Sequence, residues 1–460
     1  MGKRGKHRKK RNTVYLKRRI ILLLALILIV FLIFMIVQKK DDESEEVLAT
    51  ATISKMTDII DESFYANVSR YIVYGTHLNL EGDIDLPEDS EVSAEGETAD
   101  KEENVKNAEV VARNVSGDEV AIKTTYTQEN GKLSFSTLGE INTGLDLESL
   151  DVTDYCLLLK VQYENDETKY YSLVNNTEYK EPIDYYTLTR NGTNNKIFIS
   201  FVSYGNISGL VLDVTKVAKL PENVYDVVVD PGHGGNDVGA VSGKYQESDI
   251  ALDCALKLKT QLEKLGLKVL ITRDGSETDE YTTYNIYDDD GRVTMANESH
   301  AKILVSLHLN SNSEDISSGG VEVYAAPNSN LSLAKLFADN IVNTANTTYS
   351  QMQTYKEAEG VYVRTIEVDS SVKKYNGIFD SVPYLFIIRE IGGIATGAFV
   401  DGTNPNYAAN KYRNSNVGIE GYLIELGYIN VDKDLKNILN NEDLYAKAIA
   451  DSINSFYKIN

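Results

Sequence analysis

Two histidines in this 460-residue chain stand where metal chemistry can be done. His233 lies in Asp230-Pro231-Gly232-His233-Gly234-Gly235, directly after the strand-like run Tyr225 to Val229, and His308 lies in Ser306-Leu307-His308-Leu309-Asn310, which ends a second such run. Ligands of open α/β sheets bind outside the carboxyl ends of the strands, so both imidazoles can reach one crevice. Glycines beside His233 permit a tight turn and close approach. Glu247 opens the helical pattern that follows and puts a carboxylate on the same rim. Two imidazoles and one carboxylate are the donor set of catalytic zinc centres, with a fourth position left for water. Zn2+ held by His233, Glu247 and His308 is therefore the expected cofactor.

Other readings of these residues fail on spacing. Asp237 stands where the third glycine of a dinucleotide fingerprint would fall. Asp288-Asp289-Asp290-Gly291 has the look of a calcium loop, but Ile286 and Asn297 occupy its first and twelfth positions, so it reads as a solvated turn. No His-Glu-x-x-His pair exists, which excludes a thermolysin-type site. Of the five histidines, His7 belongs to a basic tail, His77 to a β-rich region and His300 to the end of a helix; these three are read as non-ligands.

The elements that must hold the site alternate between strand and helix. Strands are expected at Tyr225 to Val229, Lys268 to Thr272, Ile303 to Leu307, Val321 to Ala325, Tyr384 to Ile388 and Tyr422 to Glu425. Helices are expected at Ser248 to Leu265, Arg292 to His300 and Glu442 to Phe456. Such alternation predicts a three-layer α/β domain over residues 221–460, with a mainly parallel or mixed twisted sheet flanked by helices. Glu425 would close the sixth strand, beside the histidines.

Upstream, residues 68–218 read as an all-β, sandwich-like domain of short strands, with Asn191-Gly192 as a hairpin turn. Within it, residues 81–109 hold twelve acidic side chains and two lysines, and are expected to be a disordered loop. Nothing in this domain has catalytic spacing. Its expected roles are structural spacing or the docking of a protein partner.

Ile20 to Val37 is an unbroken apolar run that would span about 27 Å as a helix, close to the bilayer core. Residues 1–19 are basic and residues 41–46 acidic, so the positive-inside rule places residues 1–19 in the cytoplasm and everything after Lys40 outside, beginning with an extracytoplasmic stalk at 38–67. Location at the cell membrane through a single-pass helix is the expectation, with a cleaved signal peptide as the competing reading. The formal charge of the chain is −23, and no basic stripe follows Lys40, which argues against a nucleic-acid partner. Cys156 and Cys254 lie in different expected domains, so no disulfide framework is expected.

Taken in order, Asp230 to Gly235, Glu247, Thr272-Arg273-Asp274, Arg292 with Ala296-Asn297, Ser306 to Asn310, Gly320-Val321-Glu322-Val323-Tyr324 and Glu425-Leu426-Gly427-Tyr428-Ile429-Asn430 resemble the zinc-dependent N-acetylmuramoyl-L-alanine amidases of bacterial cell-wall turnover. The resemblance implies that His233, Glu247 and His308 bind zinc, that Glu425 is the catalytic carboxylate, and that peptidoglycan is the substrate. It also implies substrate roles for Arg389 and Asn310. Two other functions stay open on the residues: a catalytically silent wall-binding scaffold, and a zinc carboxypeptidase acting on stem peptides. The sequence departs from the family pattern at Val238, where proline is usual, and in the 35 residues between Arg389 and Glu425, a long connection that could serve as a lid or a substrate wall.

Overall fold

The computed structural model describes residues 64–460 apart from 87, 93–97, 103–104, 140–142, 205–206, 278–286, 313–318, 368–372, 375–379 and 401–409. The expected basic tail, transmembrane helix and most of the stalk lie outside the described residues. No helix among those described is long and apolar enough to cross a membrane.

The sheet of the C-terminal half has seven strands. Starting from one edge their order is Val269–Ile271, Val227–Pro231, Ile303–Asn310, Glu420–Tyr428, Glu322–Ala325, Val361–Tyr362 and Lys356–Ala358. The first four run parallel, and Glu322–Ala325 pairs antiparallel with Glu420–Tyr428. Here Val227–Pro231 is called β1, Ile303–Asn310 β2, Glu322–Ala325 β3 and Glu420–Tyr428 β4. The long helices are α1 (Glu247–Lys264), α2 (Leu331–Ala345) and α3 (Asp432–Tyr457).

Strand periodicity decides which residues meet which layer. Val227 and Val229, Ile303, Val305 and Leu307, and Tyr422, Ile424 and Leu426 pack in one cluster with Leu258, Phe337 and Ile449 of the three long helices. The alternate residues Val228, Leu304 and Leu423 face the other side, against Val293, Ile387 and Ile388 of two short helices, Arg292–Glu298 and Phe386–Glu390. Asp230, Ser306, His308, Glu322 and Glu425 share the parity of that second set. The chemistry therefore falls on the face with the thinner cover.

Two expectations in this half change. Tyr384 to Ile388 is not a strand: after Ser381–Pro383 the chain turns at Leu385 into the short helix Phe386–Glu390. A five-residue apolar run fits either element. The spacing of Ile387, Ile388 and Ile391 puts all three on one helical face against Leu423 and Ile419. The closing helix starts ten residues earlier than expected, at Asp432, and is kinked at Asn441 (φ −134°, ψ 21°), next to the expected start at Glu442.

The β-rich region differs more. Thirteen strands among the described residues share one hydrogen-bonded sheet over a single large core, in place of the expected set of seven short strands. Asn191 and Gly192 do form the expected turn, both with positive φ. Residues 81–109 are not a disordered loop: Glu81 to Asp85 and Val105 to Glu109 are strand residues, and Glu88–Val92 pairs antiparallel with Thr98–Glu102 between them. Composition misled because Glu81, Asp83, Asp85 and Glu109 sit on the outer faces of two strands whose alternate residues, Gly82 and Ile84 on one and Ala108 and Val110 on the other, are buried. Several are also ion-paired, Glu81 with Arg70, Asp83 with Lys132 and Glu109 with Lys160. Cys156 and Cys254 are buried free thiols.

The two halves are joined through the long connection before Glu425. Val417 and Gly418 pair in parallel with Val73 and Tyr74, so the segment leading into β4 is a strand of the β-rich sheet. Fully buried Asp226, just ahead of β1, accepts from Thr189 N (2.8 Å) and Thr189 Oγ1 (2.8 Å) of the β-rich region and from Lys268 N (2.7 Å). Asp226→Ala strands three buried donors and is expected to cost about 3 kcal/mol. Urea unfolding followed by circular dichroism checks this; a loss below about 1 kcal/mol would mean that the junction is not structural.

Candidate metal and catalytic site

The first histidine is placed by its backbone. His233 has φ +59°, a left-handed conformation, followed by Gly234 at +127° and Gly235 at +57°. Such a turn exposes carbonyl groups that need donors. Arg273, 6% exposed, gives Nε to Pro231 O (3.1 Å) and Nη2 to Gly232 O (2.8 Å). Arg292, 3% exposed, gives Nη1 to Pro231 O (3.1 Å) and Nη2 to His233 O (2.7 Å). Arg292 is held in turn by Asp230 Oδ1 at 2.9 Å, while Thr272 and Ser306 donate to the same carboxylate, each at 2.7 Å. Burial pushes the Asp230 carboxyl up, but the Arg292 charge and the two hydroxyls outweigh it and hold it below the usual carboxylate range.

The three expected ligands come together. Glu247 Oε1 lies 3.0 Å from His233 Nε2 and 3.0 Å from His308 Nδ1, and the two imidazole rings are 4.9 Å apart and edge-on. One donor atom from each of the three lies within 4.8 Å of the others. Glu247 is fixed by Leu309 N at 3.1 Å on Oε1 and Ala240 N at 2.9 Å on Oε2. The remaining nitrogen of His233, Nδ1, sits 3.0 Å from Asp237 Oδ2, which sets the ring orientation. Burial works to raise Glu247, yet the hydrogen bonds from His233 and His308 hold it well below its ordinary value. For His233 burial lowers the pKa, and Glu247 and Asp237 more than reverse that.

Gly232 makes room for the second imidazole. A Cβ there would stand 2.3 Å from His308 Cε1 and 2.4 Å from Nε2, so any side chain displaces the ring.

Glu425 stands on β4 in register with His308 on β2 and opposite Glu322 on β3. It lines the same crevice of about 320 Å³ as the three ligands. One of its carboxylate oxygens, Oε2, is sealed from solvent without a hydrogen-bond partner. Burial, then the charges of Glu247 and Glu322, push the Glu425 carboxyl well above the ordinary carboxylate range. Two imidazoles and a carboxylate that converge next to an orphaned buried oxygen fit a bound divalent cation with a water beside it.

Asn310 lines the crevice, with Nδ2 donating to Glu322 Oε2 at 2.9 Å. Arg389 does not line it. Its guanidinium is engaged by Glu390 Oε1 (2.7 Å), Pro383 O (2.9 Å) and Tyr384 O (3.2 Å), because Arg389 stands in the last turn of the short helix Phe386–Glu390 and reaches back to the segment before it. It fastens the backbone that leads into Leu385, Phe386 and Ile387, which form the crevice wall. His77 and His300 lie outside the cluster. A second cavity, about 340 Å³ between the two halves, contains His77 but none of the three ligands.

Sequence reasoning gave no role to Asp237, Glu322 or the Asp230–Arg292 pair. The spacing His233-x-x-x-Asp237 was a usable signal, since a turn that tight brings both side chains to one side. Fully buried Glu322, which accepts from Tyr324 at 2.8 Å and Tyr428 at 2.5 Å, was visible only as a carboxylate inside an apolar strand.

Gly232→Ala is expected to leave the far-ultraviolet circular dichroism unchanged and to weaken zinc binding at least about tenfold in a competition titration. Arg292→Met leaves Asp230 buried without its counter-charge and should cost about 4 kcal/mol. A depressed carboxyl contributes stability above about pH 3.9 and loses it as pH falls through the folded value. Without Arg292 that depression is lost, so the acid-unfolding midpoint should move to higher pH in a fluorescence titration.

Comparisons with known proteins accord with this geometry. Residues 227–374 match the family described as N-acetylmuramoyl-L-alanine amidase. The germination-specific N-acetylmuramoyl-L-alanine amidase of Bacillus subtilis is 33% identical over 160 residues, which cover 33% of this chain and 65% of the relative. The sporulation-specific amidase of the same organism is 37% identical over 87 residues, 18% of this chain and 31% of the relative. The chain thus spans less than two thirds of the length of either relative. Among solved structures, AmiC2 of Nostoc punctiforme has 23% identity and a TM-score of 0.33, over 51% of this chain and 98% of that one. The family match over residues 227–374 takes in His233, Glu247 and His308, and what it shows is similarity of this stretch to N-acetylmuramoyl-L-alanine amidases.

Proposed function

We propose that this chain is a membrane-anchored, outward-facing zinc amidase that hydrolyses the amide between N-acetylmuramic acid and L-alanine in peptidoglycan. The observation that carries the reading is the convergence of His233 and His308 on Glu247, with the buried carboxyl of Glu425 in the same crevice. The family match over residues 227–374 supports the bond cleaved. The apolar run Ile20 to Val37 and the charge change across it support the anchor, and place the site on the side of the membrane where the wall lies.

His233, Glu247 and His308 would hold zinc, which supplies a water of pKa near ~7 and polarisation of the scissile carbonyl. Glu425 does the proton work. Standing in the same crevice, in register with His308, its carboxylate takes a proton from the attacking water and returns it to the departing L-alanine nitrogen. Asp237 keeps the His233 ring in one orientation through the cycle, and the wall from Leu385 to Ile387 shields one side of the crevice from bulk water. The β-rich region is hydrogen-bonded to the segment that enters β4, which supports a structural role for it, with docking of a protein partner as the other role.

Glu425→Gln should lower the release of peptides with a free L-alanine amino terminus from purified walls by about a thousandfold, while zinc content stays at that of the unsubstituted chain. Undiminished release would remove Glu425 from the mechanism. Mass analysis of the fragments separates this reading from a stem-peptide carboxypeptidase, because only the amidase exposes that amino group.

A further inference from the structure

Arg364 stacks on a tyrosine, Tyr384, that leads directly into the crevice wall. The strand Thr365–Glu367 pairs antiparallel with Ser381–Pro383, and Tyr384 N donates to Arg364 O at 2.9 Å, so Arg364 and Tyr384 are neighbours across this small sheet. The guanidinium carbon of Arg364 lies 3.5 Å from the centre of the Tyr384 ring and 5.2 Å from that of Tyr355. Both tyrosines are more than two-fifths exposed, Tyr384 at 42% and Tyr355 at 43%. Tyr355 is held in place by a left-handed backbone, φ +65°, and by Val363 N donating to its carbonyl at 2.9 Å.

Among the described residues the charge of this arginine is unspent. Arg70, Arg113, Arg190, Arg273, Arg292 and Arg389 each form an ion pair with a carboxylate. Among the described residues none pairs with the Arg364 guanidinium, although the chain is strongly acidic. Stacking on a ring fixes the plane of a guanidinium and leaves its N–H edges pointing outward in the fork that matches a carboxylate.

Position ties the group to the crevice. Tyr384 is followed directly by Leu385, Phe386 and Ile387, which line the cavity that holds His308 and Glu425. Arg389 holds the carbonyls of Pro383 and Tyr384, so the stack is mounted on a fixed segment.

We infer that Arg364, stacked on Tyr384 and Tyr355, is a subsite for a carboxylate on the peptide side of the scissile amide, and that it makes the protein discriminate between free and amidated stem peptides. The inference rests on the reading of the crevice as a peptidoglycan amidase site. The carboxylate nearest the cleaved bond is that of the second residue of the stem, which is a free acid in isoglutamate and neutral in isoglutamine.

The test is a binding measurement, so that it stands apart from turnover. The probes are N-acetylmuramoyl-L-alanyl-D-glutamate with its γ-carboxyl capped as the methylamide, carrying the α-carboxyl either free or as the amide, titrated calorimetrically into the zinc-loaded full chain carrying Glu425→Gln, with and without Arg364→Gln. The chain with Arg364 should bind the free acid about tenfold more tightly than the amide, and Arg364→Gln should reduce the ratio to within about twofold by weakening the free acid alone. Arg364→Lys, which keeps charge but loses the planar fork, should retain only part of the preference. Equal binding of the two probes, binding of neither, or an equal loss for both on substitution would overturn the subsite. Hydrolysis of the same probes by the chain with Glu425 intact reports separately on the amidase reading.

Discussion

The site depends on one buried carboxylate. Glu247 opens α1 from a position only 4% exposed and has to satisfy a negative charge there. It does so with two imidazoles and two backbone N–H groups, and these four donors come from the loop after β1, from β2 and from the turn at Ala240. Such an arrangement orders three separate segments around one point. A buried carboxylate without these partners would be expelled or protonated. The same donors and acceptors would converge on a divalent cation, so the feature that stabilises the crevice is also what equips it for metal.

Around that point the structure resolves a second difficulty, the left-handed turn at His233. Its exposed carbonyls are capped by Arg273 and Arg292, and Arg292 is neutralised by Asp230. Asp230 is on β1, Thr272 follows the neighbouring edge strand and Ser306 is on β2, so three segments lock the turn through one carboxylate. Gly232 completes the arrangement by leaving the volume that the His308 ring occupies. A histidine in this turn is thus positioned by groups that never touch the ligand atoms. The other half of the molecule contributes at longer range, through the strand Val417–Gly418 immediately before β4 and Glu425.

Much of this was legible in the sequence, and the reason is local. His233, Glu247 and His308 flank regular elements whose apolar periodicity is strong, and the parity of β2 and β4 alone puts His308 and Glu425 on a common face. Roles carried by tertiary contact were not legible. Asp237 and Glu322 act through partners supplied by other segments, and nothing in their neighbours announces it. The helix Phe386–Glu390 was read as a strand because five apolar residues do not distinguish the two, and Arg389 lost its expected place in the crevice for the same reason. The acidic stretch from Glu81 to Glu109 was misjudged because net charge counts side chains and not the face they occupy. Ion pairs to Arg70, Lys132 and Lys160 turn that charge into the outer surface of a sheet.

The central claim is that one divalent cation sits on His233, Glu247 and His308. Zinc K-edge X-ray absorption on the purified full chain tests it most directly. The account predicts one zinc per chain with two imidazole nitrogens and carboxylate and water oxygens at about 2.0–2.2 Å, and loss of that signature in His308→Ala. A chain that takes up no zinc, or an unchanged spectrum after the His308 substitution, would contradict it.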